Sequence, residues 1–275
     1  MEDRLAQFLT HFELRASVFQ AGPLCHSGRY ELSTGVGYIH VLKQGRVRVE
    51  LPGQKVITVD KPSLFFCANP QFHLLAPDCE KVEIVCASFK FGVGLSIPVF
   101  RALPDMVVLP LAQSGCLAPT LELMFAEAME HHCGRQGILD RLMEVVFIQV
   151  LRELMDQQRL QIGVLAGLSD AKLVKAINAM HSDPARHWSL ASLSDVAGMS
   201  RARFAVRFKE VVGTTPVAYL SEWRLSIAQS LLREGKSMSF IADRVGYANA
   251  SALSRAFKAH LGQSPKQWSV ADQPG

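Results

Sequence analysis

The stretch SLSDVAGMSRARFAVRFKEVVGTTP (192–216) decides the fold of the C-terminal part of the chain, because a second stretch of the same kind follows as FIADRVGYANASALSRAFKAHLGQSP (240–265). Apolar residues, glycines and a final proline recur in both at offsets of 48 and then 49 residues. Such self-similarity indicates one structural unit used twice. Each copy predicts a short helix, a turn at a glycine, and a second helix that ends at the next glycine.

The second helix of the first copy has one face suited to a core and one suited to a polyanion. Ser200 is a suitable N-cap, Phe204, Phe208 and Val211 recur at helical spacing, and Gly213 suits a left-handed C-cap. The aromatic residues then share a buried face, and small and basic residues are left outside. Two helices joined by such a turn predict a DNA-binding helix-turn-helix.

A basic helix with aromatic residues behind it is, taken singly, more often a solvated face over a core. Three observations favour a DNA-binding role: the duplication of the unit, the positive charge of this part of the chain and the length of the segment between the copies. Residues 161–275 hold 14 Lys and Arg against 8 Asp and Glu, whereas residues 1–160 hold 15 against 17. The segment PVAYLSEWRLSIAQSLLREG (216–235) predicts a helix roughly 28 Å long, close to the roughly 34 Å between successive major-groove faces.

The C-terminal part, about 110 residues, resembles the AraC-type bacterial transcription regulators. The resemblance is carried by LSDVAGMSRARFAVRFKEVVGTTPVAYLSEWRL (193–225), IADRVGY (241–247) and SALSRAFKAHLGQSPKQW (251–268). It implies that Arg255 contacts DNA. The first copy departs from the family pattern, because Val206 stands where many members have an arginine, and contact with a thymine methyl is expected there. The resemblance also implies structural roles for Ile241, Ala242, Gly246, Tyr247, Phe257, Gly262 and Pro265.

The partner is therefore expected to be double-stranded DNA. Arg203 and Arg207 lie nearer the flank of their helix, where either a phosphate contact or an ion pair within the protein is possible. The candidate DNA-contacting residues are Arg201, Ala202, Arg203, Ala205, Val206 and Lys209 in the first copy and Asn249, Ser251, Ser254, Arg255 and Lys258 in the second.

The first 100 residues predict a different architecture. Short β-rich segments such as YIHVL (38–42), SLFFC (63–67) and VEIVCASF (82–89) are separated by Gly, Pro and Asn turns, which predicts an antiparallel sandwich or barrel. This part resembles the small cupin barrels attached to some AraC-type regulators, and a closed barrel of this size has room for one small ligand. The expected fold class is α+β multidomain: an N-terminal antiparallel β-barrel, cupin-like, then an all-α domain with two helix-turn-helix units.

The candidate sensor residues are Cys25, His40, His73 and Cys86. Metal-binding cupins carry paired histidines and a carboxylate in their first motif, but this motif has His40 alone, with Leu42 where the second histidine would fall. We therefore expect a sensor and no enzyme; the alternative is a cupin-type iron or manganese enzyme with an auxiliary helical domain.

Three interpretations of the sensor residues remain open. Cys25 and Cys86 resemble the cysteine positions of the reactive-chlorine-responsive branch of the family, which implies a thiol switch. The same residues could contribute to a transition-metal site, or Cys86 could be a small buried apolar residue beside an organic effector.

Residues 101–162 predict a helical connector between the sensor barrel (1–100) and the double helix-turn-helix domain (163–275). The face predicted for its second helix consists of Leu142, Val145, Val146, Gln149 and Leu154, and it suits packing on the same domain or a homodimer contact. The polar DQQRLQ segment (156–161) predicts a linker. We also expect RNA polymerase as a partner and, without a basic leader or a long apolar run, a cytoplasmic protein with no membrane contact.

Overall fold

The computed structural model describes residues 3–12, 14–31, 36–67, 72–90, 106–130, 132–157 and 162–271. They form two compact units. The N-terminal unit runs from the first strand to the end of a long helix at Asp156. The C-terminal unit contains the later helices together with a short helix near the start of the chain. The predicted boundary between residues 100 and 101 lies outside the described residues, as does most of the DQQRLQ segment.

The strands of the N-terminal unit form two antiparallel sheets, with strand orders β1-β8-β3-β6-β9 and β2-β7-β4-β5. The strands are β1 (Arg15–Pro23), β2 (Gly28–Glu31), β3 (Val36–Gln44), β4 (Val47–Glu50), β5 (Ile57–Val59), β6 (Ser63–Cys67), β7 (Phe72–Pro77), β8 (Glu83–Lys90) and β9 (Met106–Pro110). One core cluster draws residues from both sheets, including Leu42, Phe65, Val49 and Leu75. The cupin-like fold is therefore confirmed, but no described strand joins the two sheets into the closed barrel that the sequence predicted.

The central part of the larger sheet is buried on both faces. Every residue of β6 is buried, which explains why SLFFC reads as a continuous apolar run instead of an alternating one. Its outer face is covered by helix α3 (Arg135–Asp156), where Phe147 packs on Phe89 with ring centroids 4.4 Å apart. Helix α2 (Ala118–Met129) packs against α3 in turn.

The connector helices thus belong to the N-terminal unit. The face predicted for α3 is correct at Val146 and Leu154, which are buried, and wrong at Leu142, Val145 and Gln149. Val145 is 43% exposed and Leu142 is half-buried. The buried residues of α3 are Leu139, Met143, Val146, Phe147, Val150, Leu151, Leu154 and Met155.

The helices of the C-terminal unit are α1 (Ala6–Phe12), α4 (Val164–Ser169), α5 (Leu173–Ser182), α6 (Leu190–Ala197), α7 (Arg201–Val212), α8 (Pro216–Arg233), α9 (Met238–Arg244), α10 (Ala250–Leu261) and α11 (Pro265–Ala271). The repeat appears as α6–α7 and α9–α10, each pair joined by a turn at a glycine in the left-handed region, with φ of 62° at Gly198 and 75° at Gly246. No helix among the described residues is long and apolar enough to cross a membrane.

The local predictions for α7 hold with two corrections. Gly213 ends the helix with φ 84°, and Phe204 and Phe208 are fully buried. The third buried residue is Val212 and not Val211, because the face continues by four residues. Ser200 occupies the N-cap position, but its side chain makes no capping hydrogen bond.

Candidate functional sites

The outer face of α7 carries the residues that the sequence assigned to DNA. Arg201, Ala202, Arg203 and Lys209 are exposed. Val206 is 57% exposed although it is apolar, and Ala205 beside it is half-buried. Because Phe204 and Phe208 are buried in the core, helix α7 is held in a fixed orientation with its small and basic residues on the outside. The face combines cations with small side chains, so that a second surface can approach the helix closely.

The outer face of α10 is similar but not identical. Ser251, Arg255 and Lys258 are exposed, and Ser254 is half-buried. Asn249 is the N-cap, and its Oδ1 accepts a hydrogen bond from the Ala252 backbone N–H at 2.9 Å. The structure thus gives Asn249 a capping contact that the sequence did not predict.

The two possibilities left open for Arg207 are resolved in favour of an ion pair within the protein. Its Nη2 lies 3.0 Å from Oδ2 of Asp170, and its Nε donates to the same oxygen at 3.1 Å. The other oxygen of Asp170 accepts from the backbone N–H groups of Lys172 and Leu173 at the start of α5. Arg203 stays exposed beside this pair.

Helix α8 supports both pairs of helices. Phe208 of the first pair packs edge to face on Tyr219 near the start of α8, with centroids 5.7 Å apart. The second pair shares a core with the later part of α8, in which Leu225 and Ala228 pack with Phe257. With 18 residues, α8 is about 27 Å long.

In the N-terminal unit, a pair of histidines connects the two sheets. His40 lies on β3 and His73 on β7, and their Nε2 atoms are 2.8 Å apart with both side chains fully buried. One ring must donate a proton and the other accept it. No described residue makes a hydrogen bond to either Nδ1 atom. The sequence named both histidines but could not show that they touch, since they lie 33 residues apart.

Aromatic rings surround this pair. Tyr30 stacks on His73 with centroids 5.0 Å apart, and Phe65 stacks on His40 at 5.0 Å. Tyr38 meets His73 edge to face at 5.4 Å. The sequence analysis missed these rings as site residues. The signal that could have found them is the alternation along β3, which places Tyr38 on the same face of the strand as His40.

Burial shapes the acid–base chemistry of this cluster. It lowers the pKa of His73 to about 4, and together with the nearby His73 it lowers the pKa of His40 well below its usual value. Cys86, which lies opposite His40 in the strand register, is buried, and burial raises the pKa of its thiol. The cluster is therefore uncharged at neutral pH, and it does not hold Cys86 as a thiolate. Cys25 is exposed.

The donor set does not fit a metal ion. Within the described ranges, no group of three or more His, Cys, Asp or Glu side chains is placed to hold one. His40 and His73 contact each other directly, so both Nε2 atoms are already engaged.

Duplicated helix pairs with small, basic outer faces define a DNA-binding regulator, here with an attached cupin-like domain. Known proteins agree: a cupin family model matches residues 3–156, and a helix-turn-helix domain model matches residues 193–270. The chain belongs to the AraC family of DNA-binding transcription regulators, in the branch that carries a cupin domain.

Three relatives illustrate the match. A putative AraC-like regulator of Streptomyces lividans is 34% identical over 68% of this chain and 62% of its own length, so the chain spans less than two thirds of it. The regulator AlkR of Acinetobacter baylyi is 35% identical over 74% of this chain and 72% of its own. The RCS-specific activator RclR of Escherichia coli is 28% identical over 87% and 88%.

Proposed function

We propose that the two helix-turn-helix units, α6–α7 and α9–α10, read adjacent major grooves on one side of a DNA duplex. The observation that carries this proposal is the exposed, small and basic face on both α7 and α10, with one helix of about 27 Å supporting both units. Major-groove faces recur roughly every 34 Å along one side of the duplex.

Within this proposal the exposed residues divide by chemistry. Cations fix the position of the protein on the phosphates, and small side chains determine which base edges fit. We assign the first role to Arg201, Lys209, Arg255 and Lys258, and the second to Ala202, Ala205, Val206, Ser251 and Ser254. Arg203 is a further candidate for a phosphate contact, because Asp170 is bound to Arg207 instead.

Hydroxyl-radical footprinting on a selected duplex tests this reading. Two protected stretches about one helical turn apart on one face of the DNA are expected. A single protected stretch would show that only one unit reads DNA, and equal affinity for scrambled duplexes would show a binder without sequence preference.

We propose that the N-terminal unit senses a small molecule or an oxidant. The buried histidine pair with its aromatic neighbours supports a recognition site of this kind, because a polar cluster inside an apolar core is costly without a role. For an oxidant, the exposed Cys25 is the better first target, since the raised pKa of Cys86 disfavours its thiolate. The relative RclR is an RCS-specific activator, which agrees with this option.

Cysteine variants test the oxidant option. We expect Cys25→Ser to abolish any change of DNA affinity caused by mild hypochlorite, and Cys86→Ser to reduce it. Cys133→Ser is the matched control, because Cys133 is also an exposed free thiol. If all three variants respond as the wild type does, the thiol switch is wrong and the effector is a ligand of the sandwich.

We propose a homodimer and an RNA polymerase contact as the setting of this function. The outer side of the connector helices supports a dimer contact, since Ile138 and Val145 are seven residues apart on α3 and each is 43% exposed. Sedimentation at micromolar concentration tests the dimer: a species of only about 30 kDa, the mass of one chain, contradicts it.

A further inference from the structure

The segment that leads into the first helix-turn-helix unit forms an ordered turn, residues 183–188, here named the entry turn. Trp188 donates its indole N–H to the Asp183 carbonyl at 2.9 Å. The Arg186 backbone N–H donates to Oδ1 of Asp183 at 3.2 Å, and the Arg186 guanidinium lies over the Trp188 ring, 4.3 Å from its centroid. The turn is therefore held by its own contacts immediately before the N-cap of α6, Ser189.

Helix α8 holds the entry turn through one arginine. Nε of Arg224 donates to the Pro184 carbonyl at 2.7 Å, and Nη2 donates to the Arg186 carbonyl at 2.9 Å. Both are charge-assisted hydrogen bonds, which are about twice as strong as neutral ones. The same guanidinium lies 5.8 Å from the ring centroid of Tyr247, which packs on the core of the second unit.

The second helix-turn-helix unit touches the entry turn through its glycine. A Cβ atom on Gly246 would lie 2.7 Å from Cα of Ala185, so the two backbones meet with no room for a side chain. The equivalent Gly198 of the first unit has nothing within 4 Å of such a Cβ, although its φ is also positive. Only the second unit has this close contact. Glycine is required at position 246 both because a side chain would not fit and because φ is positive there.

We propose that the entry turn, Arg224 and Gly246 form a brace that fixes the distance and rotation between the two reading units, and thereby the spacing of the DNA site. The proposal rests on the proposed function, in which both units read one duplex. Arg224 and Gly246 are positioning residues in this account and contact no base.

A brace matters because a single connecting helix leaves the units free to bend and twist about it. The entry turn is continuous with the first unit and touches the second, so the units are joined at two places instead of one. One extra base pair moves one binding face by about 3.4 Å and rotates it by about 35° relative to the other. Two units joined by the brace cannot shift and rotate by these amounts unless the contacts of Arg224 and Gly246 with the entry turn break.

The test measures the affinity of the full chain for its selected duplex and for duplexes with one base pair inserted or deleted between the two footprints. For the wild type we expect a loss of about tenfold or more at either altered spacing, comparable to one mismatched base pair. Arg224→Met removes both carbonyl contacts. Gly246→Asn keeps the left-handed backbone, which Asn tolerates, but forces a Cβ against Ala185. Gly198→Asn is the matched control.

We expect Arg224→Met and Gly246→Asn each to reduce the spacing penalty to about threefold or less, and Gly198→Asn to keep the wild-type penalty. Circular dichroism verifies that each variant is folded. If one of Arg224→Met and Gly246→Asn does not fold, the other variant alone decides the outcome. An unchanged penalty in the folded variants, even with uniformly weaker binding, overturns the brace and leaves two-unit reading intact. Equal wild-type affinity for all three spacings overturns both proposals.

Discussion

Val206 and Arg255 are equivalent residues of the two copies, and both are exposed two positions before a buried phenylalanine. An apolar side chain and a cation at the same place give the two units different surface chemistry at this position. The repeat in the sequence could predict this equivalence, since it depends only on helical spacing. It could not predict that Arg207 pairs with Asp170, because the two residues are 37 positions apart.

Replacing Arg255 tests the assignment of direct readout. If Arg255 binds a guanine edge with two hydrogen bonds, Arg255→Ala costs about 1 to 3 kcal/mol of binding and blurs the preference at one base pair. Binding to a panel of single-base variants of the selected site measures both effects, with Lys55→Ala in the N-terminal unit as the control for charge. An equal loss on every sequence would identify a phosphate contact instead.

The buried histidines give a pH prediction. Because burial lowers the pKa of His73 to about 4, the folded protein binds this proton only near pH 4, whereas the unfolded chain binds it near 6.5. The unfolded state therefore takes up more protons between pH 6.5 and 4, and stability falls as pH falls through this window. An NMR titration of the His73 ring should show a midpoint near 4; a midpoint at 6.5 or higher contradicts the buried, uncharged pair.

At the scale of elements, the sequence predicted best where a pattern is long and repeated. The second helices of both copies and their glycine ends follow from local spacing and capping. Strands β1, β2, β7 and β9 were not predicted as separate elements, because a strand is defined by its partners across the sheet, which lie far away in the sequence. The buried face of α3 was predicted only in part, at Val146 and Leu154, since the sheet that covers this helix is remote in sequence.

The cap of α10 can be tested by substitution. Asn249→Ala removes the Oδ1 acceptor for the Ala252 N–H and should lower the free energy of unfolding of the C-terminal unit by about 1 kcal/mol. Urea unfolding followed by tryptophan fluorescence measures this unit, because all three tryptophans, Trp188, Trp223 and Trp268, lie in it.

The matched control for the cap is Asn249→Ser, which keeps an acceptor at the same position and should cost only a few tenths of a kcal/mol. Equal losses in the two variants would mean that the cap is not the source of the effect.

For the whole molecule, composition and charge alone separated a basic C-terminal part from a mildly acidic N-terminal part. This division agrees with the two units. The sequence did not predict that helix α1, which precedes the first strand, belongs with the C-terminal unit, where Leu5 and Phe8 are buried. Among the described strands no pairing joins the two sheets, which departs from the predicted closed barrel, because closure depends on how strands pair and not on their number.

Salt dependence tests the electrostatic part of DNA binding by the full chain. If about four to six phosphates are neutralised, log affinity should fall with log salt concentration at a slope of roughly −4 to −5. Lys258→Ala should make the slope shallower by about one, whereas Val206→Ala, on the same kind of surface, should leave it unchanged. A slope near zero for the wild type would show that phosphate contacts do not contribute to binding.

The most direct test of sequence-specific DNA reading is the selection of genomic DNA fragments by the full chain, carried out once with reduced thiols and once after mild hypochlorite. The account predicts enrichment of fragments that share two short motifs about one helical turn apart, in at least one of the two states. Enrichment in one state only would make Cys25 the first residue to replace. Equal enrichment in both states would place the search for an effector site in the interior around His40 and His73. Recovery of fragments without any shared motif in both states would contradict the account.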